Sequence, residues 1–267
     1  MILQRHITQW RSQVPWPYLD QVEHDLILSR ALCELYNSPP VAENLIFRGG
    51  TALHKLFFSQ PGRFSEDLDF VQKEAKPIGD TITVVRECLD PWLGKPKWKQ
   101  GEGRFTLYYR FETEVEPVIQ RKLKIEINTR EHFNVLPLEE IDFSVNSEWY
   151  QGEANISTYQ LEEQLGTKLR ALYQRRKGRD LFDFWYANRM IHGLNFETIV
   201  SIFFTYMKDG GTPVSYLQYL ENLERKKESG SFNDDITSLL SPDLSSQYDT
   251  EEAYKLLFGE IIPKMER

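Results

Sequence analysis

The sequence predicts a mixed α/β core followed by an α-helical second part, and three observations carry that prediction. Helix-like and strand-like stretches alternate through the first half of the chain, and two strongly alternating runs, RFTLYYRFE and QRKLKIEINTRE, follow one another between residues 104 and 131. From about residue 161 every periodic stretch has helical spacing and no strand signal interrupts it. A helix, strand, helix, strand, helix, strand, strand order implies a mixed central sheet faced by helices on at least one side.

The elements follow in order. DQVEHDLILSRALCELYN (20–37) spaces Val22, Leu26, Ala31 or Leu32 and Leu35 nearly as a helix does, and SPP ends it. ENLIFRGG reads as a buried strand running into a glycine turn. TALHKLFF restarts a helix with Thr51 as its cap, SQPGRFS is a loop, and EDLDFV is a strand. Residues 78–94 form a helix ended by Gly94, and KPKWKQGEGR is a basic loop leading into the two alternating strands. A boundary near residue 155 separates a first domain (1–155) from an α-helical second domain (156–267). In the latter, LEEQLGTKLRALYQRR, RDLFDFWYANRMI, NFETIVSIFFTYMK, PVSYLQYLENLERKK and EEAYKLLFGEII are helices, and KKESGSFNDD (226–235) is a polar loop.

Composition narrows the function classes. Of 267 residues, 40% are hydrophobic and 27% charged, an ordinary globular balance, and no run approaches the roughly 18 apolar residues that a membrane span requires. The start MILQRHITQWRSQ has no apolar core of a signal peptide, so a cytoplasmic protein without membrane partners is expected. Cys33 and Cys88 sit in helix-like stretches and read as small buried groups, and the five histidines lack zinc-ligand spacing. A net charge of −8 speaks against general nucleic-acid binding but leaves room for local basic patches.

The chemistry gathers in FRGGTALHKLFFSQPGRFSEDLDFV (47–71). Alternate strand residues share a face, so Asp67 and Asp69 project together, about 7 Å apart at their backbones, while Leu68 and Phe70 enter the core. Such a pair suits Mg²⁺, a hard cation that leaves coordination positions for water and phosphate oxygens. It equally suits a solvated strand face. In QRKLKIEIN the same alternation turns Leu123, Ile125 and Ile127 inward and Lys122, Lys124, Glu126 and Asn128 outward. Were this strand beside that of Asp67, Glu126 would add a third acid, unless it pairs with Lys122 or Lys124. Gly49 and Gly50 allow close backbone approach, and the helix start at Thr51 offers amide groups to an anion such as a triphosphate.

RGGTALHKL, RFSEDLDFV, KLKIEIN, LEEQLGTKLRAL and RRKGRDLFDFW together resemble the AbiEii/AbiGii-type nucleotidyltransferase toxins, a branch of the polymerase β-like nucleotidyltransferase superfamily. The likeness spans roughly residues 20–190. It implies a polymerase β-like core and an enzyme that transfers a nucleoside monophosphate from an NTP, with Mg²⁺ as cofactor. The acceptor it implies is RNA, foremost the tRNA 3′ end, so that translation is blocked, and the partner it implies is a cognate antitoxin. Gly49, Gly50 and Thr51 would then contact the triphosphate with Ser65 near it, and Asp67, Asp69 and, more weakly, Glu126 would hold the metal.

Two further groups take roles by that likeness. Lys168 borders the Leu161, Leu165, Leu169, Leu172 stripe, where a lysine ordinarily snorkels to solvent; the family implies that it neutralises the triphosphate. Asp180, a natural cap for the helix LFDFWYANRMI with Asp183 in its first turn, is implied as the catalytic acid ahead of Asp183. Beside such a site the basic runs containing Lys97 and Lys99, and Arg175, Arg176, Lys177 and Arg179, would hold an RNA backbone, with Trp98 stacking on an unpaired base. Two alternatives stand beside this reading: the same chemistry on a small molecule or protein, and an interaction module with the same fold and no turnover.

Overall fold

The computed structural model describes residues 2–266. The chain divides into two compact units, Met1–Tyr159 and Gln160–Arg267. A division at residue 155 would cut through a strand, Gln151–Thr158, that is paired on both sides, so the break falls just beyond it.

In the first unit, helices α1 (Gln4–Trp10), α2 (Leu19–Tyr36) and α3 (Pro39–Asn44) precede strand β1 (Leu45–Arg48) and helix α4 (Gly49–Leu56). Strand β2 (Asp67–Gln72) and helix α5 (Gly79–Leu93) follow, then β3 (Lys97–Gly101), β4 (Arg104–Glu112), β5 (Gln120–Asn128), β6 (Glu139–Asn146) and β7 (Gln151–Thr158). The described residues form one seven-stranded sheet in the order β3-β4-β5-β2-β1-β7-β6. It is mixed, as the sequence implies: β2 runs parallel to β5 and β1 to β7, and the other neighbours are antiparallel.

Three strands depart from the sequence expectation. β3 lies in the stretch read as a basic loop, and β6 and β7 have no counterpart in that reading. All of β3 is exposed, so no alternation marks it and its pairing with β4 makes it a strand. β6 does alternate, Ile141, Phe143 and Val145 being less exposed than Asp142, Ser144 and Asn146, although only Val145 is fully buried, and it pairs with β7. The polar loop at 226–235 likewise contains a one-turn helix, Gly230–Asn233.

Helix α2 is the spine of this unit, with Val22, Leu26, Leu28, Ala31, Leu32 and Leu35 fully buried. It also buries Asp25, which is satisfied by Trp10 Nε1 at 3.0 Å, Trp16 Nε1 at 3.1 Å and Lys55 Nζ at 3.0 Å. Because Lys55 belongs to α4, this ion pair ties the helix that follows the glycine turn to the core.

The second unit is helical: α6 (Leu161–Gln174), α7 (Arg179–Met190), α8 (Phe196–Asp209), α9 (Tyr216–Lys227), α10 (Gly230–Asn233), α11 (Pro242–Gln247) and α12 (Thr250–Leu256). Helices α6 and α8 cross so closely that a Cβ on Gly166 would lie 2.6 Å from Ile202 Cγ2, and Tyr206 donates to buried Glu163 at 2.7 Å beside that crossing. Lys226 donates to the carbonyls of Leu172 and Tyr173, satisfying the exposed end of α6; burial lowers its pKa to about 8.

Gly178, in the GRDLFD segment, has a helical backbone but an atomic reason to be glycine: a Cβ there would meet the Phe232 carbonyl oxygen at 2.1 Å. Backbone cannot rotate away as a side chain can. Gly178→Ala should therefore cost about 1–3 kcal/mol, read as a lowered denaturation midpoint with unchanged m-value, whereas the same change at solvent-facing Gly193 should rest on its positive φ of 80° alone.

Candidate active site

Asp67 and Asp69 stand on β2 between Leu68 and Phe70, whose side chains are 0% and 1% exposed, so the two acids share the opposite face. β2 borders β5 directly, with Asp67 opposite Lys124 and Asp69 opposite Glu126. The third acid is thus brought beside the pair, but a lysine comes with it. Lys124 Nζ lies 3.1 Å from Asp67 Oδ2 and 3.2 Å from Glu126 Oε2, and Arg104 stands 3.7 Å from Glu126. Glu126 therefore pairs with Lys124, and among the described residues no three acids, histidines or cysteines are gathered as a metal-ligating cluster. The acids free of that pairing on this face are thus reduced from three toward the Asp67 and Asp69 pair, with Lys124 beside Asp67.

The electrostatics follow from that crowding. Burial raises the Asp69 carboxyl above its ordinary value and the charges on Asp67 and Glu126 raise it further, against the opposing pull of Lys124 and Arg48. Burial disfavours the Lys124 ammonium, yet Asp69, Asp67 and Glu126 outweigh it and hold its pKa above the ordinary lysine value. A carboxylate raised by burial and like charges is one whose ionised form a further cation would stabilise.

The glycine turn meets this cluster. Gly49 has φ +86°, in the region that favours glycine, and a Cβ on it would lie 2.8 Å from Asp69 Oδ2. Asp69 thus packs on the backbone at the first residue of α4. The helix begins with Gly49 itself, two residues before Thr51, and no side chain caps it. Thr51 is correspondingly not a cap: its Oγ1 lies 2.5 Å from the Asp67 carbonyl oxygen and 2.6 Å from Ser65 Oγ. Since a carbonyl only accepts, the Thr51 proton goes to Asp67 and the Ser65 hydroxyl completes the pair. Together the two hydroxyls fix the start of β2 against α4.

Arg63 is the residue that sequence reading passed over. It is 3% exposed, and a Cβ on Gly50 would lie 2.1 Å from its Nη2, so its guanidinium covers the second glycine of the turn. Within SQPGRFS nothing local marks it, because the contact exists only once the loop folds back on α4. The turn thus combines the amide-rich start of a helix with a buried guanidinium, a combination suited to phosphate oxygens.

The basic runs separate on inspection. Lys97 and Lys99 pair with Tyr108 and Thr106, which face the same way as Lys124 and Glu126, so both lysines share the acid face. Trp98 does not. It lies on the opposite face, stacked on Phe105 with centroids 5.6 Å apart, so the arrangement of Trp98 beside the lysines expected from the sequence is corrected by strand alternation.

In the second unit, Lys168 is 5% exposed, with Nζ 2.7 Å from Asp183 Oδ2 and 3.3 Å from Asp180 Oδ1. Both aspartates are fully buried, and Arg175 also grips Asp180 with two contacts of 2.7 Å. Burial opposes ionisation of Asp180, but Lys168 and Arg175 together hold its pKa below the ordinary value. Rather than snorkelling, Lys168 neutralises two buried carboxylates. Lys177 pairs with Asp235 at 2.9 Å, Arg176 is exposed and Arg179 half-buried.

A family model described as the nucleotidyl transferase AbiEii toxin of a type IV toxin–antitoxin system matches residues 30–255. The chain belongs to the AbiEii nucleotidyltransferase toxin family. Among solved structures, MenT4, a nucleotidyltransferase toxin of Mycobacterium tuberculosis H37Rv, superposes on this AbiEii chain with a TM-score of 0.68 at 18% identity, over 99% of this chain and 92% of that one. A protein of H. pylori named for nucleotidyl transfer does so with a TM-score of 0.50 at 18% identity, over 92% and 95%. At these identities the likeness is one of fold. No curated protein matches the AbiEii chain in sequence, and none of its described helices is long and apolar enough to cross a membrane.

Proposed function

We propose that this AbiEii-family toxin transfers a nucleoside monophosphate from an NTP to an RNA acceptor, with the tRNA 3′ end as the first acceptor to test, and so blocks translation unless its antitoxin intervenes. The observation that carries the reading is the seating of Asp69 on Gly49: one contact brings a carboxylate pair and a phosphate-suited helix start together. Asp67 and Asp69 are hard oxygen donors that fit Mg²⁺, whereas Glu126 is held by Lys124 and would be at most a weaker third ligand. Bound there, the ion would supply charge neutralisation for the phosphates and a lowered pKa for the attacking hydroxyl.

The chain's own residues do the rest. The α4 amides and Arg63 receive the triphosphate, Ser65 and Thr51 keep β2 in register with the turn, and Lys124 offsets the charge of the acids. In the transfer the acceptor hydroxyl oxygen forms a bond to the α-phosphorus as the bond from that phosphorus to the bridging oxygen breaks. Pyrophosphate leaves with the electron pair, and the hydroxyl proton passes to solvent or to a carboxylate.

Incubation with each labelled NTP, Mg²⁺ and total RNA should label a discrete RNA band, lost with chelator and with Asp67→Ala. An RNA pool left unlabelled under all four NTPs, with label instead in a polypeptide or small solute, would select the other acceptor class, which the net charge of −8 favours. The local charge distribution favours RNA.

A further inference from the structure

Strand register gives the acid face a longer reach than the acids themselves. Across β1-β2-β5-β4-β3, one row of paired residues reads Arg48, Asp69, Glu126, Thr106, Lys99; the next reads Asp67, Lys124, Tyr108, Lys97. All point to one side of the sheet. With strands about 4.8 Å apart, Lys99 starts about 14 Å from Asp69 at the backbone. Two residues along from Tyr108 and Lys124, Arg110 pairs with Lys122 and adds two more cations to that side.

Lys97, Lys99, Arg110 and Lys122 are all exposed, and among the described residues none of them has an acidic partner. Lys122 rests over the Tyr108 ring, 5.8 Å from its centroid. In a chain of net charge −8, four unneutralised cations on one side of three adjacent strands form a patch opposed to the overall charge. Its sign fits a polyanion, and its position fits one whose end must reach Asp67 and Asp69. A phosphodiester chain meets both conditions.

Resting on the nucleotidyl-transfer reading above, we propose that the β3–β4–β5 surface bearing Lys97, Lys99, Arg110 and Lys122 is the track that binds the phosphate backbone of the RNA acceptor and leads its 3′ end to the acid pair. Trp98, on the other side of the sheet, takes no part.

The test is anisotropy of a labelled single-stranded RNA on the full chain, with Lys97→Gln/Lys99→Gln and Arg110→Gln/Lys122→Gln as variants and melting temperature as the check on folding. Each double variant should weaken binding at least tenfold. The slope of log affinity against log salt should become shallower by about 1.4, since each lost contact to a single strand removes about 0.7. Trp98→Ala should leave both quantities near the parent values, and NTP affinity by calorimetry should be unchanged throughout. Unmoved RNA affinity and salt slope in folded double variants overturn the track, even if RNA is labelled by the parent; so does loss of binding to an acidic protein partner with RNA binding intact. RNA binding that depends on these cations while no RNA is ever labelled leaves the track standing and removes the transfer reading instead.

Discussion

Asp69→Asn should reduce nucleotide transfer by about 10³-fold or more, the scale of losing a group that stabilises developing charge directly, while leaving the fold at least as stable as the parent. The substitution keeps the shape and one acceptor oxygen. What it removes is a charge crowded against Asp67 and Glu126 and pressed on the backbone of Gly49. A structural carboxylate would behave otherwise: its removal would lower the melting temperature in step with activity, because its partners would be left unmatched. Here burial itself disfavours the charge, and Asp67 and Glu126 repel it while Lys124 and Arg48 attract it, so relief of the burial cost and of the repulsion offsets the weakened contact with Lys124. Activity assays beside thermal denaturation therefore separate the two roles. A fall of several degrees in melting temperature with only a modest loss of turnover would move Asp69 from the reaction to the scaffold. Unstable acid clusters of this kind are tolerated where function requires them.

That cluster was largely legible in advance because its logic is local. Period-two alternation placed Asp67 and Asp69 on one face, and the same rule placed Lys124 and Glu126 on theirs; the sheet order, which alternation cannot supply, then made the two strands neighbours. The helical second part was legible for a similar reason, since Leu165, Leu169 and Leu172 recur at helical spacing and are all buried. The failures were of contacts made across the fold. Thr51 looks like a cap because it precedes an apolar run, but a left-handed Gly49 starts the helix two residues earlier and frees Thr51 to lock β2. β3 carries no burial of its own, so no pattern announces it, whereas the alternation of Ile141, Phe143 and Val145 in β6 was there to be read. Trp98 and its flanking lysines are one basic-aromatic motif as a string and two opposite surfaces as a strand.

Lys168 is the case where the string was most misleading, and its substitution should have the largest effect on stability. A lysine beside an apolar stripe ordinarily reaches solvent, whereas this one is spent on Asp180 and Asp183, both fully buried. Lys168→Met keeps the length of the side chain and removes the ammonium, leaving two buried carboxylates short of a counter-charge. Breaking such a pair from one side costs about 3–5 kcal/mol, a large share of the roughly 5–15 kcal/mol that holds a domain together. Arg175 still grips Asp180, so the deficit should fall mainly on Asp183, and Lys168→Met/Asp183→Asn should recover part of the loss. The pH dependence has a definite sign. Asp180 has a depressed folded pKa, so its contribution is complete above the ordinary aspartate range and is lost only as acid brings the pH down through the lower folded value. Urea titrations of the single and double variants at neutral pH measure the coupling directly. A Lys168→Met chain as stable as the parent but inactive would mean that the ammonium serves the triphosphate; a destabilised chain rescued by Asp183→Asn places its work in joining α6 to α7.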